Sequence, residues 1–431
     1  MTIRITEPES IKEIIKRKNQ EKSEFAPLTL DELTEILGLT IKKDTTNKII
    51  TFLCELSAYT ESSQFNISYN APSSTGKSYI PTEIAYLFPE EDVIEIGYCS
   101  PTAFFHEVGE FVKEKNGYVV DLSRKILIFL DQPHIQLLER LRSLLSHDKK
   151  EIQSKITDKN QKFGLRTKNV FLKGFPAVVF CTAGLKIDEQ EATRFLLLSP
   201  QTNQEKIREA IYEKIKKETD VISYKKWLDE DPKRNLLKER ILAIKLANIK
   251  EIKMESPELV SDIFFSKSKN LKPRHQRDIT RIISMAKSLA LLNFEHRKKD
   301  GNTIIANNDD IKMAFHIWDT ISESQELNLP PFILDLYKEI ILLAWNEKIN
   351  INEMSELNLE AGLSRQEIQK KHFQVYGRYL ADWLLRQQII PMLETAGLIS
   401  QEADPNDKRK MLIYPNTPLT VIQKQINSES E

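Results

Sequence analysis

One eight-residue segment limits what this chain folds into more than any other feature of its sequence. Ala71–Ser78 reads Ala-Pro-Ser-Ser-Thr-Gly-Lys-Ser, follows a strand pattern at Phe65–Tyr69 and precedes a helical pattern. In such a turn, backbone N–H groups at the start of a helix form a cradle for an anion. The alternative is a chance Gly-Lys-Ser turn, but the preceding strand favours a phosphate loop.

The residue types in this loop indicate which anion it would hold. Lys77 would neutralise the β- and γ-phosphates of a nucleotide, and the Ser78 hydroxyl would bind Mg²⁺. We therefore predict ATP and Mg²⁺ as ligands. The first position is Ala71 where the motif has glycine, and a methyl group there narrows the accessible φ range. The residues that would surround the phosphates are Ser73, Ser74, Thr75, Gly76, Lys77 and Ser78.

Short apolar runs alternate with helical patterns around the loop. The runs Val93–Tyr98, Ile126–Leu130 and Ala177–Cys181 are typical of buried parallel strands. We predict an α/β fold with a parallel sheet and flanking helices. The predicted organisation is an N-terminal helical extension at 1–44, a nucleotide-binding core at 45–200, a helical lid at 201–328, a winged helix at 329–418 and a disordered tail at 419–431.

A second candidate element of the site follows the run Ile126–Leu130. An aspartate at the end of a buried strand, here Asp131, suits the residue that holds the Mg²⁺ shell. ATPases of this type usually have glutamate next, as general base for the attacking water, but this chain has Gln132. A neutral amide orients a water molecule without accepting its proton. Hydrolysis is then slow, or another carboxylate such as Glu107 serves.

Bulk composition says little about partners. Lys and Arg together number 62 and Asp and Glu 63, so any signal for nucleic acid must be local. The cysteines, Cys54, Cys99 and Cys181, are far apart and fit a reducing compartment. The sequence has no signal-peptide pattern and no apolar run of about 18 residues. We expect a cytoplasmic protein that does not enter a membrane.

The order of these parts resembles an AAA+ ATPase and, more narrowly, the minichromosome maintenance (MCM) helicase family, as a divergent member. The resemblance covers roughly residues 45–415. It implies that Thr182 replaces the family's asparagine that senses the γ-phosphate. It also implies that Arg194, in Ala-Thr-Arg-Phe-Leu, is the arginine finger, and that Arg277 belongs to the second-sensor helix, with Arg274 as a rival.

An arginine finger has a consequence for assembly. When a neighbouring subunit supplies it, the arginine stabilises the charge of the transferred phosphate and each site is shared by two subunits. The resemblance therefore implies a homo-oligomer, a hexameric ring. The alternative is that Arg194 pairs with Glu189 or Glu191 on its own surface.

Positive charge is concentrated in the segment Lys149–Lys173. It holds eight basic residues against two acidic ones, in a chain of net charge −1. Gly164 lies between two candidate strands and would form the tip of a hairpin, where the resemblance places a DNA-contacting hairpin. Such a hairpin would follow a phosphate backbone without reading sequence, and a solvated loop is the alternative. The residues predicted to contact DNA are Lys155, Lys159, Lys162, Arg166 and Lys168.

Residues 329–418 fit a winged helix. Ser364, with Glu367 three residues later, predicts a capping box at the start of one helix. A second helix is predicted from Gly377 to Thr395, followed by strands at 398–401 and 410–414 around a polar turn. A module that makes only protein contacts is the alternative. The basic residues that would contact DNA phosphates are Arg378, Arg386, Lys408, Arg409 and Lys410.

These patterns support functions of different classes. The first is an ATP-dependent DNA helicase or translocase, an MCM-like ring that acts in DNA replication, and the basic hairpin favours it. The second is a nucleotide-switched DNA-binding initiator, loader or transposition regulator that hydrolyses ATP slowly, and Gln132 favours it. A third is an interaction scaffold with a decayed site.

Overall fold

The computed structural model describes residues 25–106, 109–158, 166–182, 194–268, 270–355, 362–405 and 407–416. The strands are β1 Ile67–Asn70, β2 Val93–Ile96, β3 Glu110–Val112, β4 Gly117–Asp121, β5 Ile126–Phe129, β6 Glu151–Asp158, β7 Arg166–Lys173, β8 Ala177–Thr182, β9 Leu196–Leu198, β10 Glu251–Met254, β11 Lys299–Asp300, β12 Thr303–Ala306, β13 Ile399–Ala403 and β14 Met411–Pro415. The α-helices are Leu30–Gly38, Thr45–Ser57, Tyr79–Ala85, Ala103–His106, Ile135–Leu145, Gln204–Thr219, Val221–Asp229, Pro232–Ala247, Pro257–Lys267, His275–Leu292, Asn308–Asp319, Ser322–Glu326, Pro331–Leu336, Leu342–Ser355, Arg365–Tyr376, Asp382–Leu384 and Ile390–Thr395. Short 3₁₀ turns lie at Glu90–Asp92, Lys113–Lys115 and Phe294–His296, and π-helical turns at Tyr337–Ile341 and Leu385–Ile389.

The central sheet has five parallel strands in the order β2-β5-β8-β1-β9. The predicted apolar runs form β2, β5 and β8, and in β1, β5, β8 and β9 every residue is buried. Strands that are apolar along their whole length must be covered on both faces, and helices cover this sheet. The α/β class predicted from the sequence is therefore confirmed.

A second sheet, in the order β3-β4-β7-β6, stands beside the first. Its strands β6 and β7 form the antiparallel hairpin predicted from the basic segment, paired from Glu151 opposite Lys173 to Asp158 opposite Arg166. The tip, including Gly164, lies outside the described residues. Strands β3 and β4 were not predicted, and they add a second antiparallel pair alongside β7.

The helical region 204–326 packs on the central sheet rather than forming a separate core. Helix Thr45–Ser57 lies against helix His275–Leu292, and both belong to one hydrophobic cluster with the central strands. Leu33 and Leu37 of helix Leu30–Gly38 belong to this cluster too. The predicted extension, core and lid thus share one hydrophobic cluster, although the sequence divides them at 44 and 200.

A separate hydrophobic cluster begins at Leu329, where the sequence predicts a new domain, and ends at Ile413. We name residues 329–416 the C-terminal module. Ser364 and Glu367 form the predicted capping box. The predicted helix from Gly377 starts instead at Asp382, because Gly377 has φ +67° and ends the preceding helix.

The module ends in the antiparallel pair β13 and β14, and Leu363 forms a further bridge to Ile413. Within the described part of the chain, no helix is both long and apolar enough to cross a membrane. Cys54, Cys99 and Cys181 are free thiols, as the sequence predicts.

Candidate nucleotide site

The loop Ala71–Ser78 leaves the carboxyl end of β1 and leads into helix Tyr79–Ala85. Gly76 has φ +91°, a conformation that L-residues rarely adopt, so glycine is needed there. The Thr75 hydroxyl donates to the Pro72 carbonyl at 2.9 Å and tightens the turn. Ala71 is buried, and its φ angle is not positive. Alanine at this position, where the motif has glycine, therefore causes no backbone strain.

Asp131, Gln132 and Thr182 lie together at the same edge of the sheet as the loop. Phe129 of β5 pairs with Phe180 of β8, which places the residues after both strands side by side. The Thr182 hydroxyl donates to the Gln132 side-chain oxygen at 3.1 Å. The Gln132 backbone N–H donates to an Asp131 carboxylate oxygen at 2.8 Å. These contacts bring together the three residues that the sequence assigns to one site, and their role there stays a prediction.

Cys181 of β8 contacts the loop and is affected by the charges of Lys77 and Asp131. Burial raises the pKa of the Cys181 thiol to about 12, the Lys77 ammonium acts against this rise, and the Asp131 carboxylate adds to it. The thiol also donates to the Lys77 carbonyl oxygen at 3.4 Å. Lys77 and Asp131 are thus both close enough to Cys181 for their charges to affect its thiol.

A cavity of about 630 Å³ opens beside the loop. Residues 74–80 form one wall, Thr40–Asp44 and helix Gln204–Thr219 form the others, and Arg378 of the C-terminal module completes it. Small-molecule sites in proteins commonly have volumes of about 300–1,000 Å³. The cavity is thus large enough for a nucleotide.

The charges around this cavity favour an anion. Six cationic side chains line it against three carboxylates. The cations with a carboxylate partner are Lys42 with Glu213 at 3.0 Å, Lys217 with Glu83 at 3.3 Å, and Lys206 with Asp44. Among the described residues, the other three cations, Lys77, Lys214 and Arg378, have no carboxylate within ion-pair distance. Positive charge left without a partner attracts a polyanion such as a triphosphate.

The donor set of Ser78 and Asp131 fits a magnesium ion that also takes ligands from phosphate and water. A hydroxyl and a carboxylate are hard oxygen donors, and Mg²⁺ commonly takes only one or two protein ligands. Within the described ranges, no group of three or more His, Cys, Asp or Glu side chains is arranged to hold a metal. A metal here would therefore depend on the nucleotide for further ligands.

Several residues predicted for the site do not line the cavity, namely Asp131, Gln132, Thr182, Arg194 and Arg277. The last two do not lie with the others at the edge of the sheet. Leu196 pairs with Ile67, so Arg194 lies level with Phe65, six residues before Ala71. At about 3.3 Å per strand residue, its backbone is roughly 20 Å from the loop. Arg277 is exposed on helix His275–Leu292 and does not line the cavity. Its rival Arg274 pairs with Asp278 at 2.9 Å.

The basic hairpin presents lysines beside aromatic rings. Lys155 is exposed on β6, and the Lys168 ammonium lies 5.1 Å from the centre of the Tyr118 ring. Phe111 is half exposed and packs edge-on against Tyr118, with ring centres 5.3 Å apart. Lysines and aromatic rings together suit a single-stranded nucleic acid. Lys159, Lys162 and Glu107 lie outside the described residues, and of Arg166 only the backbone is described, paired in β7.

Sequence reasoning missed the far wall of the cavity. Lys206 and Lys217 are eleven residues apart, three helical turns, so their shared face was predictable from the sequence. Arg378 carried no such signal, because it is separated from Lys77 by about 300 residues and reaches the cavity only through the fold. Arg409 and Lys410, predicted to contact DNA, are exposed and pair with Asp407 at 3.0 and 3.6 Å, and their contact with DNA stays a prediction.

No protein-family model matches this sequence, and no curated protein matches it. The resemblance to the MCM family therefore stays a prediction that rests on the residues themselves.

Proposed function

We propose that this chain is a Mg²⁺-dependent ATPase that binds ATP in the cavity beside Ala71–Ser78. One observation carries the proposal. The loop follows β1, and Asp131 and Thr182 lie at the ends of the neighbouring strands β5 and β8, at the same edge of a parallel sheet. The loop also lines a cavity in which three cations have no carboxylate partner among the described residues. In open α/β sheets, ligands bind in the crevice beyond the carboxyl ends of the strands.

The chemistry of each side chain indicates its role. Lys77 would neutralise phosphate charge, and Ser78 and Asp131 would hold Mg²⁺. The metal supplies charge stabilisation at the phosphate oxygens when bound. Gln132, oriented by the Thr182 hydroxyl, would position the attacking water without taking its proton.

We further propose that the ATPase belongs to the AAA+ class and works as a homo-oligomeric ring, a hexamer. The strand order β2-β5-β8-β1-β9, with the loop after β1, supports this class. Arg194 lies too far from the loop to contact a nucleotide bound to its own chain. This distance favours a role as an arginine finger that contacts the nucleotide of a neighbouring subunit. Arg277 is exposed and would act in the same way, from outside its own cavity.

DNA is the proposed substrate of the ring. Strand β6 carries the exposed Lys155, and β7 carries Lys168 beside the Tyr118 ring. Such a surface would hold a nucleic-acid backbone without reading its sequence. In the C-terminal module, two helices are followed by the antiparallel strands β13 and β14, an order that supports a winged helix. A winged helix would provide a second contact with DNA. The first candidate function is therefore an ATP-dependent helicase or translocase that acts in replication.

One contact favours a second candidate. The Gln132 side chain is exposed at the site, where a glutamate would serve as general base, and its oxygen is occupied by the Thr182 hydroxyl. Without a proton acceptor at this position, the ATP state would be long-lived. This favours a nucleotide-switched initiator, loader or transposition regulator that stays closed on DNA while ATP is bound.

Strand displacement by purified protein on a forked DNA duplex separates these functions. A helicase releases the strand with ATP, and Lys77→Ala abolishes release. A switch releases no strand, but ATP lengthens the lifetime of its DNA complex, again only with Lys77 intact. If ATP changes neither strand release nor DNA binding, both candidates are wrong.

A further inference from the structure

The C-terminal module contributes a side chain to the cavity beside the loop Ala71–Ser78. Of the module's described residues, Arg378 lines the cavity, together with Lys77 of the loop and Lys214 of helix Gln204–Thr219. These are also the three cations of the cavity that have no carboxylate partner among the described residues. The Arg378 guanidinium lies 5.9 Å from the centre of the Tyr376 ring and, among the described residues, has no carboxylate at ion-pair distance.

The backbone around Arg378 is held in place by specific contacts. Gly377, with φ +67°, turns the chain sharply at the end of helix Arg365–Tyr376. The ring nitrogen Nδ1 of buried His372 lies 3.0 Å from the Arg378 carbonyl oxygen. The Gln204 side-chain amide donates to the Tyr376 carbonyl at 3.3 Å and ties this turn to the cavity wall. A side chain on a turn with fixed backbone needs little reordering to meet a ligand.

The module is also tied to the strand that leads into the loop. The Ser199 hydroxyl donates to the Asn70 carbonyl at 2.7 Å, at the end of β1. The Phe332 amide N–H donates to the same hydroxyl at 3.1 Å, in the first helix of the module. The module thus contacts the protein at Ser199, near the start of the loop, through Phe332, and it lines the cavity through Arg378.

We propose that Arg378 binds the phosphates of the nucleotide in its own chain, so that nucleotide holds the C-terminal module against helix Gln204–Thr219. This inference rests on the proposed ATP site. It assigns Arg378 to the nucleotide and not to DNA, where the winged-helix prediction places it. A guanidinium presents a planar fork of donors that matches phosphate oxygens, and such charge-assisted pairs are among the stronger hydrogen bonds.

ATP titration of the full-length protein tests this assignment. Arg378→Ala should weaken ATP binding by at least about ten-fold, the decrease expected when a hydrogen bond between charged groups is removed. Arg378→Lys should recover part of the affinity, because charge returns without the fork. Lys370→Ala is the control, since Lys370 is an exposed cation on the helix just before Arg378 and does not line the cavity, and this variant should bind ATP like the native protein.

Hydrogen exchange gives a second readout. ATP should slow amide exchange in helix Arg365–Tyr376 of the native protein and not in Arg378→Ala. If Arg378→Ala binds ATP as tightly as the native protein while Lys77→Ala does not, the inference is wrong and the ATP site stands. If the native protein binds no ATP at all, both the inference and the proposed function are wrong.

Discussion

Replacing Gln132 with glutamate exchanges a side-chain amide for a carboxylate at the position where the attacking water is proposed to bind. The two side chains have the same shape, and the Thr182 hydroxyl, 3.1 Å from the Gln132 oxygen, can donate equally to a carboxylate. A hydrogen bond to a charged acceptor is stronger than one to a neutral amide, so the new group should stay oriented. Because Gln132 is exposed, the glutamate should be ionised at neutral pH.

The gain in turnover follows from what a general base contributes. Such a base adds about 10²–10⁴-fold, and most when its pKa is near the working pH. An exposed glutamate has a lower pKa, near 4.3, so we expect roughly 10–100-fold faster ATP hydrolysis by Gln132→Glu. That corresponds to an activation barrier lower by about 1.4–2.7 kcal/mol.

Steady-state phosphate release at saturating ATP measures this effect. Gln132→Ala should show no gain, and Thr182→Val in the Gln132→Glu background should remove much of it, because the carboxylate is no longer oriented. The interpretation fails if the native protein already turns over at about 10 per second or faster and Gln132→Glu changes the rate less than two-fold. Another carboxylate would then be the base, and Glu107→Gln would be the next variant to measure.

Three further predictions address the ring, the hairpin and the core. Mixing Arg194→Ala with Lys77→Ala subunits should restore some ATPase activity, and a mixture of exchanging subunits no more active than either variant would show that sites are not shared. Replacing Lys155 and Lys168 with alanine should weaken binding to all DNA sequences alike and flatten the log–log salt dependence by about 0.7–0.9 for each phosphate that is no longer neutralised, whereas an unaltered slope would place DNA elsewhere. Burial, with a smaller effect of a neighbouring carboxylate, raises the pKa of Glu55 well above its usual 4.5. Above pH 4.5, Glu55 therefore loses its proton in the unfolded state but keeps it in the folded state, and the folded state becomes less stable as the pH rises. Glu55→Gln should therefore raise the free energy of unfolding at pH 7 and change it little at pH 4. Denaturant unfolding that shows the same change at both pH values would contradict this.

Local signals were enough to predict the parallel sheet and the positions at which its strands end. Apolar runs such as Ile126–Leu130 have to be buried, and Asp131 therefore had to lie at a strand end. The capping box at Ser364 and the β6–β7 hairpin also depend on neighbouring residues, and both are found where the sequence predicts them. Such features are predictable because their determining contacts are close in sequence.

Features that depend on distant contacts were not predicted. Strands β3 and β4 are short and partly exposed, and they exist because β4 pairs with β7 about 50 residues further on. The sequence predicts that Gly377 begins a helix, but in the structure it ends one, because a glycine alone does not show which of the two it does. The cavity wall, including Arg378, required the packing of the C-terminal module on the helical region, which no local pattern encodes.

Calorimetric titration of ATP with Mg²⁺ into the native protein and into Lys77→Ala is the most direct test of the proposed nucleotide site. Lys77 has no carboxylate partner among the described residues, so its removal should leave the fold and the unfolding temperature nearly unchanged. We expect saturable ATP binding by the native protein and no measurable binding by Lys77→Ala. Equal ATP affinity in the two proteins, or no binding by the native protein, would show that the loop Ala71–Ser78 does not hold ATP.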